Sequence, residues 1–215
     1  MGKIIFEISD SVLKSVAVPA FLSFNKHSED FKKAFKYLKI YSVNTDSNSN
    51  LILESTNGHI LVRYTINNQL DVLENEVDML IDIEEIQSFL RKRNIQYYIS
   101  YKDGENKFIA IDTNKINKDV TNFDNKKLNI DSREFPDTSN LFPNEKELKE
   151  LENSKNASNL FSFDLSYLNE LYKSLNYLYK YHYVYFYMKN NDEQIYVRSM
   201  NGEWEAIIMP LKINR

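Results

Sequence analysis

Glu54-Ser55-Thr56-Asn57-Gly58-His59-Ile60-Leu61-Val62-Arg63 decides how this chain is read. Asn-Gly supplies the positive φ angles of a two-residue hairpin loop, so the stretch reads as a strand, a tight turn and a second strand. A second stretch closes the sequence, Ala206-Ile207-Ile208-Met209-Pro210-Leu211-Lys212. It reads as an apolar strand stopped by Pro210, whose missing N–H is tolerated only where no neighbouring strand needs it. Between them stands Phe135-Pro136-Asp137-Thr138-Ser139-Asn140-Leu141-Phe142-Pro143. None of the three is a catalytic signature.

Working outward, one pattern recurs. Lys3 to Ile8 reads as a strand, and Ser9 or Asp10 can N-cap a helix with Val12, Leu13, Val16 and Ala17 on one side, bent or ended early by Pro19. The period then changes to alternation over Lys36 to Val43, Asn50 to Ser55 and Ile60 to Ile66. The same order of strand, helix and three strands returns in Val77 to Asp82, a helix over Ile83 to Arg93, Gln96 to Tyr101, Lys107 to Ile111 and a strand near Lys127 to Ile130, with Asp103-Gly104 as a turn. It returns again in Leu160 to Phe163, a helix from Leu165 to about Tyr179, then Tyr183 to Lys189, Glu193 to Ser199 and Glu205 to Met209. The fold class is α+β, built of repeated half-units.

Composition excludes several classes of function. With 215 residues, 42% of them hydrophobic, the chain can build one large or two modest cores. It has no cysteine, hence no disulfide scaffold or thiol chemistry, and three scattered histidines (His27, His59, His182) suggest no compact metal site. A reducing cytoplasm is the expected home, and no stretch approaches the ~20 apolar residues of a membrane span. The net charge of -4 argues against indiscriminate adhesion to DNA but leaves room for a local basic surface. His59 with Asp137 or Asp164 is the nearest approach to acid–base machinery, yet there is no nucleophile elbow, phosphate-cradling glycine loop, HExxH helix or paired metal-binding carboxylates. Four glycines are too few for a typical nucleotide loop. No enzyme activity and no cofactor are expected.

The hairpin, the Phe-Pro-Asp stretch and the Met-Pro tail, in that order, resemble the bacterial DNA polymerase III β subunit family, the sliding clamps. The resemblance implies a DNA-clamp fold, with antiparallel sheets outside and helices lining an inner face. It implies a complete clamp-type domain over residues 1–143, similar to the family's middle domain with Lys33 to Ile40 in the place of its first central strand. An acidic linker over 144–159 would follow, and then a half-unit over 160–215 similar to the end of the last domain, its helix opened by Phe163 to Leu168. Within the linker, Glu145 to Leu151 has the charge pattern of a helix and Asn153 to Asn159 reads as a loop.

Two sites follow from the resemblance. A pocket for partner peptides, from a DNA polymerase or a clamp loader, takes Thr56, Gly58, His59 and Leu61 on one wall and Pro136, Asn140 and Leu141 on another, with Tyr167, Met209, Pro210 and Leu211 from the C-terminal unit. Met suits such a socket because its thioether adapts to varied partners. Ile60 and Asn140 stand where the family often has basic residues. The second site is a DNA-facing set, Lys14, Arg91, Lys92, Arg93, Lys173 and Lys180, reaching phosphates of double-stranded DNA without base readout. Leu168, Leu171, Leu175 and Leu178 recur at helical spacing and face the sheet, leaving Lys173 and Lys180 nearer the opposite side. A homo-oligomeric ring, dimeric or trimeric, is expected, with a non-encircling clamp-derived interaction module as the alternative. The tyrosines from Tyr172 to Tyr187 admit stacking on single-stranded nucleic acid, but alternation of Tyr183, Tyr185 and Tyr187 along a strand favours packing on one sheet face.

Overall fold

A computed structural model describes residues 3–23, 35–45, 48–67, 76–113, 120–123, 135, 137–138, 140–153, 165–180, 183–188 and 194–209. The first unit comprises β1 (Lys3–Ile8), α1 (Asp10–Ser23), β2 (Tyr37–Asn44), β3 (Ser49–Thr56) and β4 (Ile60–Ile66). The second comprises β5 (Asp78–Asp82), α2 (Ile83–Leu90), β6 (Ile95–Lys102), β7 (Glu105–Asp112) and β8 (Val120–Phe123). After α3 (Glu145–Asn153) come α4 (Leu165–Leu175), β9 (Val184–Tyr187), β10 (Ile195–Ser199) and β11 (Trp204–Ile208).

The first two units exchange their leading strands. β1 pairs antiparallel with β6 of the second unit, and β5 pairs antiparallel with β2 of the first. Neither sheet is therefore complete without a strand from the other unit. The third unit is joined just as closely, because β11 pairs antiparallel with β4, setting Ile208 opposite Ile60 and Glu205 opposite Arg63. The strand orders are β1-β6-β7-β8 in one sheet and β5-β2-β3-β4-β11-β10-β9 in the other.

Side-chain alternation sorts the seven-stranded sheet into two faces. Ile60, Val62, Val197, Ala206 and Ile208 belong to the main core together with Leu13 and Val16 of α1 and Leu171 and Leu175 of α4. Leu61, Tyr196 and Ile207 point to the other face and form a second cluster. Leu168 and Leu178 are partly buried against the main core, while Lys173 and Lys180 are exposed.

Local chemistry fixes several element boundaries. Ser9 caps α1, its hydroxyl accepting from the Val12 amide at 3.3 Å. Pro19 lies inside α1, which continues to Ser23. Asp82 caps α2 by accepting from the Glu84 amide at 2.9 Å, and it pairs with Lys36 at 3.0 Å. α2 ends at Leu90 rather than running through Arg93: Arg91 is its C-cap, the Lys92 amide donates to the Phe89 carbonyl at 2.9 Å, and Asn94 turns the chain with φ 61°. The Asp103-Gly104 turn joins β6 to β7 with both residues at positive φ, as its dipeptide predicts.

The segment 145–153 is helical, with Asn144 accepting from the Lys146 and Glu147 amides, both at 3.0 Å. The strand that completes the second unit is β8, at Val120–Phe123. The expected strand positions 127–130 and 160–163 lie outside the described residues. Tyr185 and Tyr187 share one face of β9, 6.2 Å apart between ring centroids; Tyr187 packs against Tyr196, but Tyr183 and Tyr185 are exposed at this sheet edge, so the tyrosines fill a covered face only in part.

Candidate functional site

The three stretches that open the sequence reading meet at the junction of β3, β4 and β11. Asn57 pairs with Ile60 through an amide-to-carbonyl bond of 3.1 Å, so the central residues of the turn are Gly58 and His59 rather than Asn57 and Gly58. Gly58 alone takes positive φ, 86°. Asn57 works through its side chain instead, its Oδ1 accepting from the His59 amide at 3.0 Å and the Ile60 amide at 2.8 Å. Its Nδ2 donates to Glu170 of α4 at 2.8 Å, both residues being buried. The hairpin tip is thereby fixed to the third unit.

Four more contacts converge there. The His59 ring stacks on Tyr167 with centroids 5.6 Å apart, and the Met209 amide donates to the His59 carbonyl at 2.9 Å. Thr56 is buried, its hydroxyl donating to the Ile60 carbonyl at 2.8 Å. A ring edge of Phe35 lies over Gly58, so close that a Cβ there would sit 2.9 Å from it. Met209 remains 42% exposed beside this group.

Leu61 and Leu141 come together on the opposite sheet face. They pack with Tyr196, Ile207, Phe142 and Tyr187, and Leu148 of α3 is buried among them. Asn140 is exposed at the rim. Pro136, Pro210 and Leu211 lie outside the described residues.

The middle stretch is anchored by charge. Glu54, fully buried, accepts from the Thr138 hydroxyl at 2.6 Å, the Tyr41 hydroxyl at 3.1 Å and Arg63 Nε at 2.5 Å. The Arg63 guanidinium lies 3.6 Å from the centroid of the Phe142 ring, a cation–π contact in a partly desolvated place. Gln194 Nε2 donates to the Leu141 carbonyl at 2.8 Å. Next to this network, burial pushes the Glu205 carboxyl above its usual range against the pull of the Tyr196 hydroxyl, Arg63 and Arg198.

The helices form the other candidate surface. Lys14, Arg91, Lys92, Arg93 and Lys173 line one cleft of about 600 Å³ between α1, the end of α2 and α4; Lys180 is not among its lining residues. Lys14 has a structural part as well, pairing with Asp10 at 2.6 Å and donating to the Lys92 carbonyl at 2.7 Å, which ties α1 to the end of α2.

Sequence reasoning missed Asn57, Glu170, Phe35 and Leu148 as parts of these sites. Only Leu148 carried a signal, being one of two leucines three residues apart in an otherwise polar helix. Among the described residues no cluster of three or more His, Cys, Asp or Glu is placed to hold a metal ion, and no described helix is long and apolar enough to cross a membrane.

No protein-family model and no curated protein matches the chain. Solved structures do. The DNA polymerase sliding clamp of Pseudomonas aeruginosa is 16% identical, with a TM-score of 0.60 over 99% of this chain and 68% of the clamp. The β subunit from the DNA polymerase of Streptococcus pyogenes is 12% identical, with a TM-score of 0.59 over 99% of this chain and 68% of that one. The DNA polymerase III β subunit of Thermotoga maritima is 12% identical, with a TM-score of 0.60 over 99% and 66% respectively. Antiparallel sheets joined edge to edge by three half-units, matched along nearly the whole chain, give this protein the sliding-clamp fold of the bacterial DNA polymerase III β subunit, in a chain spanning about two-thirds of the length of those clamps.

Proposed function

We propose that this chain is a DNA sliding clamp, a non-enzymatic processivity factor of the cytoplasm. It surrounds duplex DNA without sequence preference and tethers a polymerase by a peptide held at the junction of hairpin and tail. The observation that carries this reading is the collection of five cations in one interhelical cleft of an acidic protein, on a fold shared with solved clamps. A lining of this kind attracts phosphates while leaving bases unread. Residues 1–143 act as one clamp-type domain and 160–215 as a further half-unit, and protomers join head to tail into a dimeric or trimeric ring through sheet edges. β8 and β9 stand at the ends of their sheets and offer such edges.

The partner peptide engages the exposed Met209 beside the stacked His59 and Tyr167, and then the apolar patch of Leu61 and Leu141. Leu148 already covers part of that patch, so the peptide must displace α3 to use it fully. The same contact favours a second reading, an interaction module that does not encircle DNA and binds replication proteins. Mass in solution, followed by retention on circular DNA, separates the two. A closed oligomer whose retention is lost with Arg91→Glu plus Lys173→Glu supports the clamp. A monomer at every concentration that is not retained on circular DNA shifts the reading to the module.

A further inference from the structure

The interhelical cleft has a feature that phosphate attraction leaves unused. Tyr172 and Tyr177 of α4 and its following turn line it, 53% and 49% exposed, together with Phe21 of α1. The floor is apolar, with Ala17 and Val18 buried beneath. Among the described residues that line it there is no carboxylate, although the chain as a whole is acidic. Cations and exposed aromatic side chains in one cleft are the two components from which grooves for single-stranded nucleic acid are built.

We propose that this cleft takes an unpaired DNA strand, with bases stacked on Tyr172 and Tyr177 and phosphates against Arg91, Arg93 and Lys173. The proposal rests on the reading that the helical face meets DNA and makes it more specific. A duplex keeps its bases stacked inside and presents only phosphates and groove edges, so it can use the cations but has no base face to offer the tyrosines. A single strand can use both. The volume, about 600 Å³, lies in the range of sites that bury a small organic ligand and leaves room for a base beside its sugar. Arg91, its guanidinium 6.0 Å from the Phe21 centroid, stands at the boundary between the charged rim and the apolar floor.

The test is fluorescence anisotropy of the full chain with a labelled oligo(dT) of about ten nucleotides, compared with a duplex of the same length at one fixed low salt concentration. Oligo(dT) should bind more tightly than the duplex. Tyr172→Ala with Tyr177→Ala should weaken oligo(dT) about tenfold or more while leaving the duplex unchanged, and the corresponding Phe variant should retain affinity. Arg91→Glu should weaken both. Equal binding of the two probes with no effect of the tyrosine change overturns this inference and leaves the duplex reading standing. Failure to bind either probe overturns this inference, and retention on circular DNA then decides the duplex reading separately. A measurement on the unaltered protein guards against a variant that does not fold: photocrosslinking to oligo(dT) carrying 5-bromodeoxyuridine should map to Tyr172 or Tyr177. Crosslinks at the β9 tyrosines, Tyr183 or Tyr185, would instead assign strand binding to the sheet edge and overturn the proposal.

Discussion

The hydroxyl of Ser174 lies 2.8 Å from the backbone carbonyl of Ser15, the carbonyl that Pro19 leaves without its helical donor. A proline inside a helix removes one i→i−4 bond and would strand a buried acceptor. Here α4 supplies the missing proton. Ser174 Oγ is also 2.9 Å from Ser15 Oγ and accepts from Trp204 Nε1 at 3.0 Å, so its one donor and two acceptor positions are all used. Ser55 of β3 donates in the same way to the neighbouring Val16 carbonyl. The stretch of α1 from Ser15 to Pro19 is thus the point at which α1, α4, β3 and β11 are tied together.

Ser174→Ala should therefore cost about 2–3 kcal/mol in urea unfolding, because it leaves the Ser15 carbonyl and the Trp204 N–H buried without partners. Pro19→Ala restores a helical donor for Ser15. In the double variant the two changes should be clearly less than additive, and strict additivity would show that Ser174 does not substitute for the lost helical bond.

Gly58→Ala should destabilise the hairpin by about 1–2 kcal/mol from its left-handed backbone alone, with a further loss from the Phe35 ring that lies where the new Cβ must go. His59 and the Met209 amide hang on the same turn, so binding of a polymerase-tail peptide should weaken together with the thermal midpoint. Loss of stability with full peptide affinity would detach the turn from the socket.

How far the sequence carried can be judged at this hairpin. The alternation on either side of Asn57-Gly58 located β3 and β4, and the recurrence of strand, helix and strands located the three units, because both are local periodicities. Which strand would lie beside β4 was not legible. Ile60 to Ile66 has the same apolar pattern whether its neighbour is β11 or solvent, and the exchange of β1 and β5 between units is equally invisible to a local pattern. The turn itself was misplaced by one residue because Asn57 spends its side chain on the His59 and Ile60 amides instead of taking positive φ. Lys14 read as a surface cation. Its bond to the Lys92 carbonyl depends on where the end of α2 comes to rest, which spacing along α1 does not contain.

Glu205 makes stability depend on pH in a stated direction. Its folded-state pKa is raised above 4.5, first by burial, so folding favours the protonated form. Its contribution is fully present below the unfolded-state value and is lost as pH rises through the folded value. Glu205→Gln keeps an acceptor for the Tyr196 hydroxyl, which now meets a carboxylate oxygen. The variant should accordingly gain stability relative to the parent at pH 7 and lose that advantage near pH 4, measured as the difference in urea midpoint; an advantage that grows as pH falls would reverse the assignment.

Leu148 is the least expected part of the socket and the easiest to test. In α3, Glu145, Lys146, Glu147, Lys149 and Glu150 are exposed, while Leu148 is 4% exposed in the cluster with Leu61, Tyr196 and Ile207. The ion pair from Glu145 to Arg198, at 3.7 Å with Glu145 largely exposed, adds little. Among the described side chains of α3 Leu148 is the buried apolar one, worth about 2 kcal/mol of apolar burial, which a competing peptide can repay. If the peptide needs the same patch, α3 lowers its apparent affinity by about 30-fold. Leu148→Asp should then raise the affinity of a labelled polymerase-tail peptide by up to that factor, with the fold retained by circular dichroism. Leu61→Lys should abolish binding in either background. Unchanged affinity in Leu148→Asp would mean that α3 and the peptide occupy different surfaces, confining the peptide to the Met209, His59 and Tyr167 side of the junction.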